Sequence, residues 1–541
     1  MAGVNHSLQG HMNWSATFYE AFRWWDRINN PPPLPPAPQQ LTNAAIQTAY
    51  GITQAAAYAL PVPAIAVPAP AIPPALPGGV TRPPLIPPLA PDTEPNEEKY
   101  LRNARGGPRG LGAVANWTPI RILGSGGGGA VALWEWSGPA AMAPAQTKIA
   151  VKNTLAPSKN LNEEGRVMAV VGASLSEHVA RLIVPPEILT PAICTARGLS
   201  HTWDNVTRQL IIEYCPQGTL DDLLDMRKER NIRFEEMTLW HIFECLVDGC
   251  SVLEYGMELT YDPLNRVAAV PAAYVAGPSL TTIVHRDLKP TNIFTGARSA
   301  SHVSVPAFKI GDFGGAQEWH KIFANTPNLW PSTTYAVNHR KIRRRGTRGY
   351  YTPESFHPAW NYNDYRVSPI CGKFGSHTNV WQVGAIMYEL ACFNLGPPEA
   401  HLPFTPGHLI HGAAPLGRLY GTQLRNQPGL SNLLKDTIHE CLYEIPTNRA
   451  SLLTLKTRIR TQLNVMTLDP TIRPEGAQDL ECPEPITEAQ QFLPAFAQVN
   501  KQCTALKRWS PGQCTNTVNV WGNNNRPRCG SHWNLRDYPL L

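Results

Sequence analysis

At residues 283–294 the 541-residue chain reads IVHRDLKPTNIF. Three of its side chains are spaced to act on one reacting group. Asp287 offers a carboxylate that accepts a hydroxyl proton, Lys289 an ammonium that steadies a phosphoryl group in transfer, and Asn292 a metal ligand. An eight-residue run from His285 to Asn292 is too long to be a chance loop. Twenty residues after Asn292, the stretch FKIGDFGGA (308–316) presents Asp312, a carboxylate suited to Mg²⁺ bridging phosphates.

Upstream lie elements that can position a nucleotide against these groups. Residues 120–134, IRILGSGGGGAVALW, set Gly124, Gly126, Gly129 and Val131 between two alternating apolar runs, which predicts a β-hairpin. Glycines let such a turn lie close over a triphosphate and aim backbone N–H groups at it. The same composition suits a flexible linker, so the glycines take their meaning from their partners downstream. The first partner is TKIAVK (147–152), a strand-like run ending on Lys152, of the type that pairs the α and β phosphates. A helix carrying EGRVMAVV is expected to bring the lysine a carboxylate. Glu164 sets Val167 and Met168 on its own face, and Glu163 is the rival one register away. Further on, QLIIEYCPQGTLDDLL (209–224) predicts a buried strand, an irregular joint and a helix start, and the backbone of Glu213 to Cys215 offers an adenine ring one donor and one acceptor.

With glycine loop, strand lysine, helix glutamate, HRDLKPTN and DFG followed by GTRGYYTPE (346–354), the chain resembles the eukaryotic protein kinase superfamily over about residues 116–462. TNVWQVGAIMYEL (378–390) is similar to that family's buried central helix, and CLYEIPTNRA (441–450) supplies Arg449, which the resemblance pairs with Glu354. The resemblance implies an α+β, two-lobed fold: a β-rich small lobe with one helix, a mainly helical large lobe, and ATP with Mg²⁺ (or Mn²⁺) in the cleft. It implies nucleotide contacts from Gly124, Gly126, Gly129, Val131, Ala150, Lys152, Glu213 and Cys215, metal ligation by Asn292 and Asp312, and catalytic roles for Asp287, Lys289, Lys152 and Glu164. Lys289 with Gly346-Thr347 matches the serine/threonine-specific branch, so the implied substrates are Ser and Thr hydroxyls of proteins. The alternative is a catalytically silent kinase fold acting as a scaffold through its tails. Silent members usually lose the lysine or one of the aspartates, whereas Lys152, Asp287 and Asp312 are all present.

Some features depart from the family pattern. Asn379 stands in the central helix where an aspartate usually accepts N–H groups of the catalytic loop; an amide keeps an acceptor without the charge, which predicts weaker bracing. The segment from Asp312 to Glu354 is 43 residues long and carries AVNHRKIRRRG (336–346) where a phosphosite usually stands. Arg286 belongs to the type of kinase switched by loop phosphorylation, so a regulatory phosphate is expected on Ser332, Thr333, Thr334 or Tyr335. Residues 257–280 are an insertion before the catalytic loop, expected at the surface away from the cleft.

The remaining chain is less specific. A formal charge of +6 over this length gives no argument for nucleic acid. Residues 59–77 are uncharged, but seven prolines there break the hydrogen bonds a bilayer span needs, which argues against a membrane segment. The N-terminus shows no secretory pattern, so an intracellular setting, cytoplasmic or nuclear, is expected, and the eleven cysteines read as thiols or metal ligands. Residues 1–30 predict a short amphipathic helix with Trp14, Phe18, Phe22 and Trp25 on one face. Residues 31–115 predict a disordered linker, 19 of the 53 prolines falling between 31 and 95, with PPPLPPAP and RPPLIPPLAP as ligands for SH3 or WW domains. Residues 463–541 predict a mostly irregular tail. Within its segment 502–533, Cys503, Cys514, Cys529 and His532 are donors of the kind that hold tetrahedral Zn²⁺, and free thiols are the competing reading.

Overall fold

The structure, a computed structural model, describes residues 99–482 apart from 185–206, 273–280, 321–344, 361–367, 408–414 and shorter gaps. It also describes an antiparallel strand pair, Gln498–Gln502 with Thr517–Trp521.

Five strands form the small-lobe sheet: β1 (Trp117–Gly126), β2 (Gly129–Trp136), β3 (Lys148–Asn153), β4 (Leu182–Val184) and β5 (Gln209–Glu213), antiparallel in the order β1-β2-β3-β5-β4. Val131 lies opposite Lys152 and Leu133 opposite Ala150. Opposed residues share a face and neighbours alternate, so these four side chains point to one side, the side of the cleft. Ala130, Ala132, Trp134, Ile149, Val151 and Ile211 fill the other face and are all buried. Between β3 and β4 runs α1 (Asn162–Gly172), which buries Glu164, Val167, Met168 and Val171 on one stripe.

That outer sheet face is covered by chain expected to be linker. Tyr100 is fully buried; its hydroxyl donates to the Val151 carbonyl (3.0 Å) and accepts from Trp134 Nε1 (2.8 Å). The Gly107 carbonyl accepts from Gln209 Nε2 at 3.3 Å. Packing on the sheet therefore reaches back to Tyr100, ahead of residue 116. Beyond the last proline of the dense run, Pro95, the chain offers Tyr100, Ala104 and Leu111 to an apolar face that would otherwise be wet. The C-terminal boundary moves likewise, from 462 to about 482. Leu480 is buried, and the buried Arg227 meets Glu475 at 2.5 Å and the Asp479 carbonyl at 2.7 Å.

The large lobe is built on α2 (Leu220–Arg230), α3 (Glu236–Tyr255), α4 (Ser376–Cys392), α5 (Asn432–Cys441) and α6 (Leu452–Leu468). Thr219 starts α2 with a reciprocal cap: its hydroxyl accepts from the Asp222 N–H, and Asp222 Oδ2 accepts from the Thr219 N–H. α3 and α4 are buried on nearly every side, as central helices are. The insertion at 257–280 folds in part into a hairpin, β6 (Thr260–Asp262) with β7 (Val267–Ala269), that lies on α6 through Tyr261 Oη to Thr461 (3.1 Å) and the Ala268 N–H to Thr457 (2.9 Å). Two short antiparallel pairs then frame the cleft loops: β8 (Thr281–Val284) with β11 (Gln317–His320), and β9 (Ile293–Thr295) with β10 (Phe308–Ile310).

Candidate active site

Asp287, Lys289 and Asn292 lie in the loop between β8 and β9, and Asp312 two residues after β10. Asn292 Nδ2 donates to the Asp287 carbonyl (2.8 Å) and reaches Asp287 Oδ2 at 3.3 Å, which closes the loop and leaves Asn292 Oδ1 as the oxygen a cation can use. The Gly311 N–H donates to the Asn292 carbonyl at 2.9 Å, so the residue before Asp312 is fastened to the same loop. Asp287 Oδ1 is buried without a hydrogen-bond partner. Its other oxygen lies 3.4 Å from Lys289 Nζ, which in turn donates to Thr347 Oγ1 at 2.5 Å.

Lys152 joins the two lobes. Its Nζ lies 2.6 Å from Glu164 Oε1 and 2.8 Å from Asp312 Oδ1. Burial opposes the lysine charge, but the two carboxylates outweigh it and hold its pKa above the ordinary value. Burial likewise pushes Asp312 up, and Lys152 more than offsets that, so its pKa falls below the usual carboxylate range. For Glu164 burial prevails over Lys152 and the pKa rises. Glu163 points elsewhere, pairing with Arg166 at 2.6 Å. Asp312 itself sits in the left-handed region, φ 54° and ψ 67°, which aspartate tolerates better than most side chains. The next residue, Phe313, is buried with its ring centroid 5.1 Å from that of His285.

The glycine hairpin closes between Gly126 and Gly129. A Cβ at Gly124 or Gly126 would meet nothing within 4 Å, so no protein atom demands glycine there, and at Gly128 it would come within 3.9 Å of the Lys152 ammonium. Gly129 has another reason to be glycine: its φ is +151° and a Cβ would lie 2.2 Å from the Asn153 carbonyl oxygen. At the joint after β5, the Glu213 N–H is taken by the Arg181 carbonyl (3.0 Å) and its carboxylate by Lys309 (2.9 Å), while the Cys215 carbonyl accepts from Gly218 (3.3 Å). Burial, then the Glu213 charge, pushes the Cys215 thiol up to about 12, which disfavours the thiolate.

Bracing of the loop between β8 and β9 differs from expectation. Asn379 Oδ1 accepts from the His285 N–H (2.9 Å) and Asn379 Nδ2 donates to the Ile283 carbonyl (2.8 Å), the second of which no aspartate can do. The amide thus braces the loop with two neutral bonds, one accepted and one donated. One turn along α4, Gln382 donates to the Tyr350 carbonyl (3.1 Å) and its Oε1 faces the Leu288 N–H. The signal for Gln382 was a second amide, three residues after the first, on an otherwise apolar helix. Arg449 clasps Glu354 with both terminal nitrogens, at 2.8 and 2.9 Å. Gly346, at φ +117°, allows the chain to pass the Arg286 carbonyl, which a Cβ would approach to 2.6 Å.

Cys503, Cys514, Cys529 and His532 lie outside the described residues, as do Ser332, Thr333, Thr334 and Tyr335, the proline runs and the 1–30 segment. Among the described residues no helix is long and apolar enough to cross a membrane.

A five-stranded sheet with one helix, set on a helical lobe with lysine, two aspartates and asparagine between them, defines the protein kinase class. The family described as "Protein kinase domain" matches residues 279–458. The chain is 29% identical over 253 residues to "G2-specific protein kinase nimA" of Emericella nidulans, covering 46% of this chain and 29% of that protein. It is 28% identical over 251 residues to "G2-specific protein kinase nim-1" of Neurospora crassa (46% and 24%), and 24% identical over 193 residues to "Serine/threonine-protein kinase Nek9" of Mus musculus (35% and 13%). The chain thus spans less than a third of the length of these curated relatives. Residues 279–458 thus match the protein kinase domain family, and the curated relatives are themselves named as protein kinases.

Proposed function

We propose that the chain transfers the γ-phosphoryl group of ATP to Ser or Thr hydroxyls of other proteins. The observation that carries this reading is Asp287 Oδ1, a buried oxygen without a partner on a carboxylate whose other oxygen faces the Lys289 ammonium and the Asn292 amide. A substrate hydroxyl placed there gives its proton to Asp287 as its oxygen bonds to the γ-phosphorus, and the bond from that phosphorus to the β-phosphate oxygen breaks to release ADP. Lys152, kept charged by Glu164 and Asp312, draws on the nucleotide's phosphates, and Lys289 steadies the group in transit. The main-chain N–H of Cys215 and the apolar side chains of Val131 and Ala150 receive the adenine. Asn292 Oδ1 and Asp312 are oxygen donors that suit Mg²⁺, which when bound neutralises phosphate charge.

Control by phosphorylation belongs to the same reading. Arg286 Nη2 is buried and unpartnered, and burial followed by the nearby Arg345 charge pushes its pKa down to about 9. A phosphate on Ser332, Thr333, Thr334 or Tyr335 would supply an anion to the unpartnered Arg286 Nη2.

The test is incubation of the purified protein with labelled ATP and a mixed Ser/Thr peptide library, beside Asp287→Ala. Transfer by the parent, lost in the variant while nucleotide binding persists, is the expected result. Equal transfer by both chains would refute the role of Asp287, and no transfer by a parent that binds ATP would favour a silent scaffold.

A further inference from the structure

Away from the residues of the cleft, three elements meet around His178, which lies in the turn between α1 and β4. His178 Nε2 faces Nε2 of His302, from the loop between β9 and β10, at 3.0 Å, with the rings inclined at 75°. Cys245, in the middle of α3, completes a triangle in which the three donor atoms all lie within 4.8 Å of one another. His178 and Cys245 are buried, and His302 is 9% exposed. We propose that His178, Cys245 and His302 form a binding site for one divalent ion of the zinc type.

The surroundings prepare the site in several independent ways. Glu258 Oε1 accepts from His178 Nδ1 at 2.8 Å and is itself bonded by the Ser176 hydroxyl. A carboxylate on the far nitrogen fixes the proton there and aims the other nitrogen's lone pair at the cluster, as around histidine-bound metals. Asp248, one turn along α3 from Cys245, brings a carboxylate oxygen within 4.8 Å of the His178 and Glu258 donors, and its Oδ1 is buried with no hydrogen-bond partner. Two imidazole bonds of about 2.0 Å at a tetrahedral centre separate their nitrogens by about 3.3 Å, a few tenths more than the spacing already present. A thiolate with two imidazoles selects zinc over the hard ions that oxygen donors hold.

The site also has a place in the architecture. The Ile310 N–H donates to the His178 carbonyl (2.9 Å) and the Ala180 N–H to the Ile310 carbonyl (2.8 Å), two residues ahead of Asp312. Gly249 lets α3 approach this point, since a Cβ there would lie 2.8 Å from the His178 carbonyl oxygen. An ion would therefore fasten the small-lobe turn to α3 and to the loop preceding β10.

The experiment uses the full chain with Cys503, Cys514 and Cys529 replaced by serine, so that tail thiols cannot contribute. After loading with Zn²⁺ and dialysis, elemental mass spectrometry should find one equivalent. Co²⁺ in its place should give a thiolate-to-metal charge-transfer band with tetrahedral ligand-field bands. Cys245→Ser should abolish the charge-transfer band, and His302→Gln, a loop substitution, should drop the zinc to zero with the far-ultraviolet dichroism unchanged. Chelation should lower the melting temperature of the parent and leave that of His302→Gln where it is. A loaded parent without zinc, or a folded His302→Gln that keeps its full equivalent, overturns the proposal; if Cys245→Ser does not fold, His302→Gln decides alone.

Discussion

The cleft and the large-lobe core each hold a carboxylate–cation cluster of similar chemistry, and the two are built differently. Arg449 and Glu354 have side chains 0% exposed, and Arg449 also donates to the Tyr443 and His377 carbonyls (2.8 Å each), while the Thr378 hydroxyl donates to Glu354 (3.0 Å). In the cleft, by contrast, the Asp312 side chain is 43% exposed and Asp287 Oδ1 has no partner. The core cluster is complete, which is the condition under which a buried ion pair can hold without dragging the fold down. The cleft cluster lacks partners at the atoms that a nucleotide, a metal ion and a hydroxyl are proposed to meet. In this pair of clusters the Arg449–Glu354 pair is complete, and the unpartnered atom belongs to the residue proposed to act, Asp287.

That contrast can be tested from both ends. Asp287→Asn should lower kcat by about 10²–10⁴, or about 3–5.5 kcal/mol, and leave the urea midpoint unmoved; a shift in the midpoint would make Asp287 a strut as well. Arg449→Met, which strands the Glu354 charge, should cost about 3–5 kcal/mol in urea unfolding, and a variant as stable as the parent would erase the distinction. The core also holds His439, whose Nε2 meets the Gly421 carbonyl at 3.0 Å and whose pKa burial pushes down to about 4. The unfolded chain takes up this proton near pH 6.5 and the folded one only near 4. As pH falls from about 6.5 to about 4, this group alone should take about 1.4 kcal/mol per pH unit from the stability, about 3 kcal/mol in all, a contribution that His439→Gln removes in acid titrations of stability. Asn379→Asp should destabilise by about 1–3 kcal/mol, because it sets an acceptor against the Ile283 carbonyl; an unchanged or raised melting temperature would show that the charged bond to His285 is worth more than the lost donor.

What the sequence made legible was local. His285 to Asn292 and the residues around Asp312 carry their chemistry within a few positions of one another, and alternation around Val131 and Ala150 puts both on the face of Lys152. Other features depend on tertiary contacts that no spacing announces. Tyr100 is an isolated aromatic in polar chain and becomes core only because the sheet beneath it is apolar on its outer side. The donor role of Asn379 depends on where the Ile283 carbonyl falls, and the reason for Gly129 on how near β3 runs. His178, Cys245 and His302 come from three separate elements and share no motif.

Tyr100 has a practical consequence for anyone cutting the gene. A recombinant fragment trimmed to begin at residue 116 discards the aromatic plug over Trp134 and Ile149, deprives the Trp134 indole of its acceptor, and leaves a greasy roof that invites clumping. A clone running from 96 to 482 keeps that plug at one end and the Glu475 clasp on Arg227 at the other.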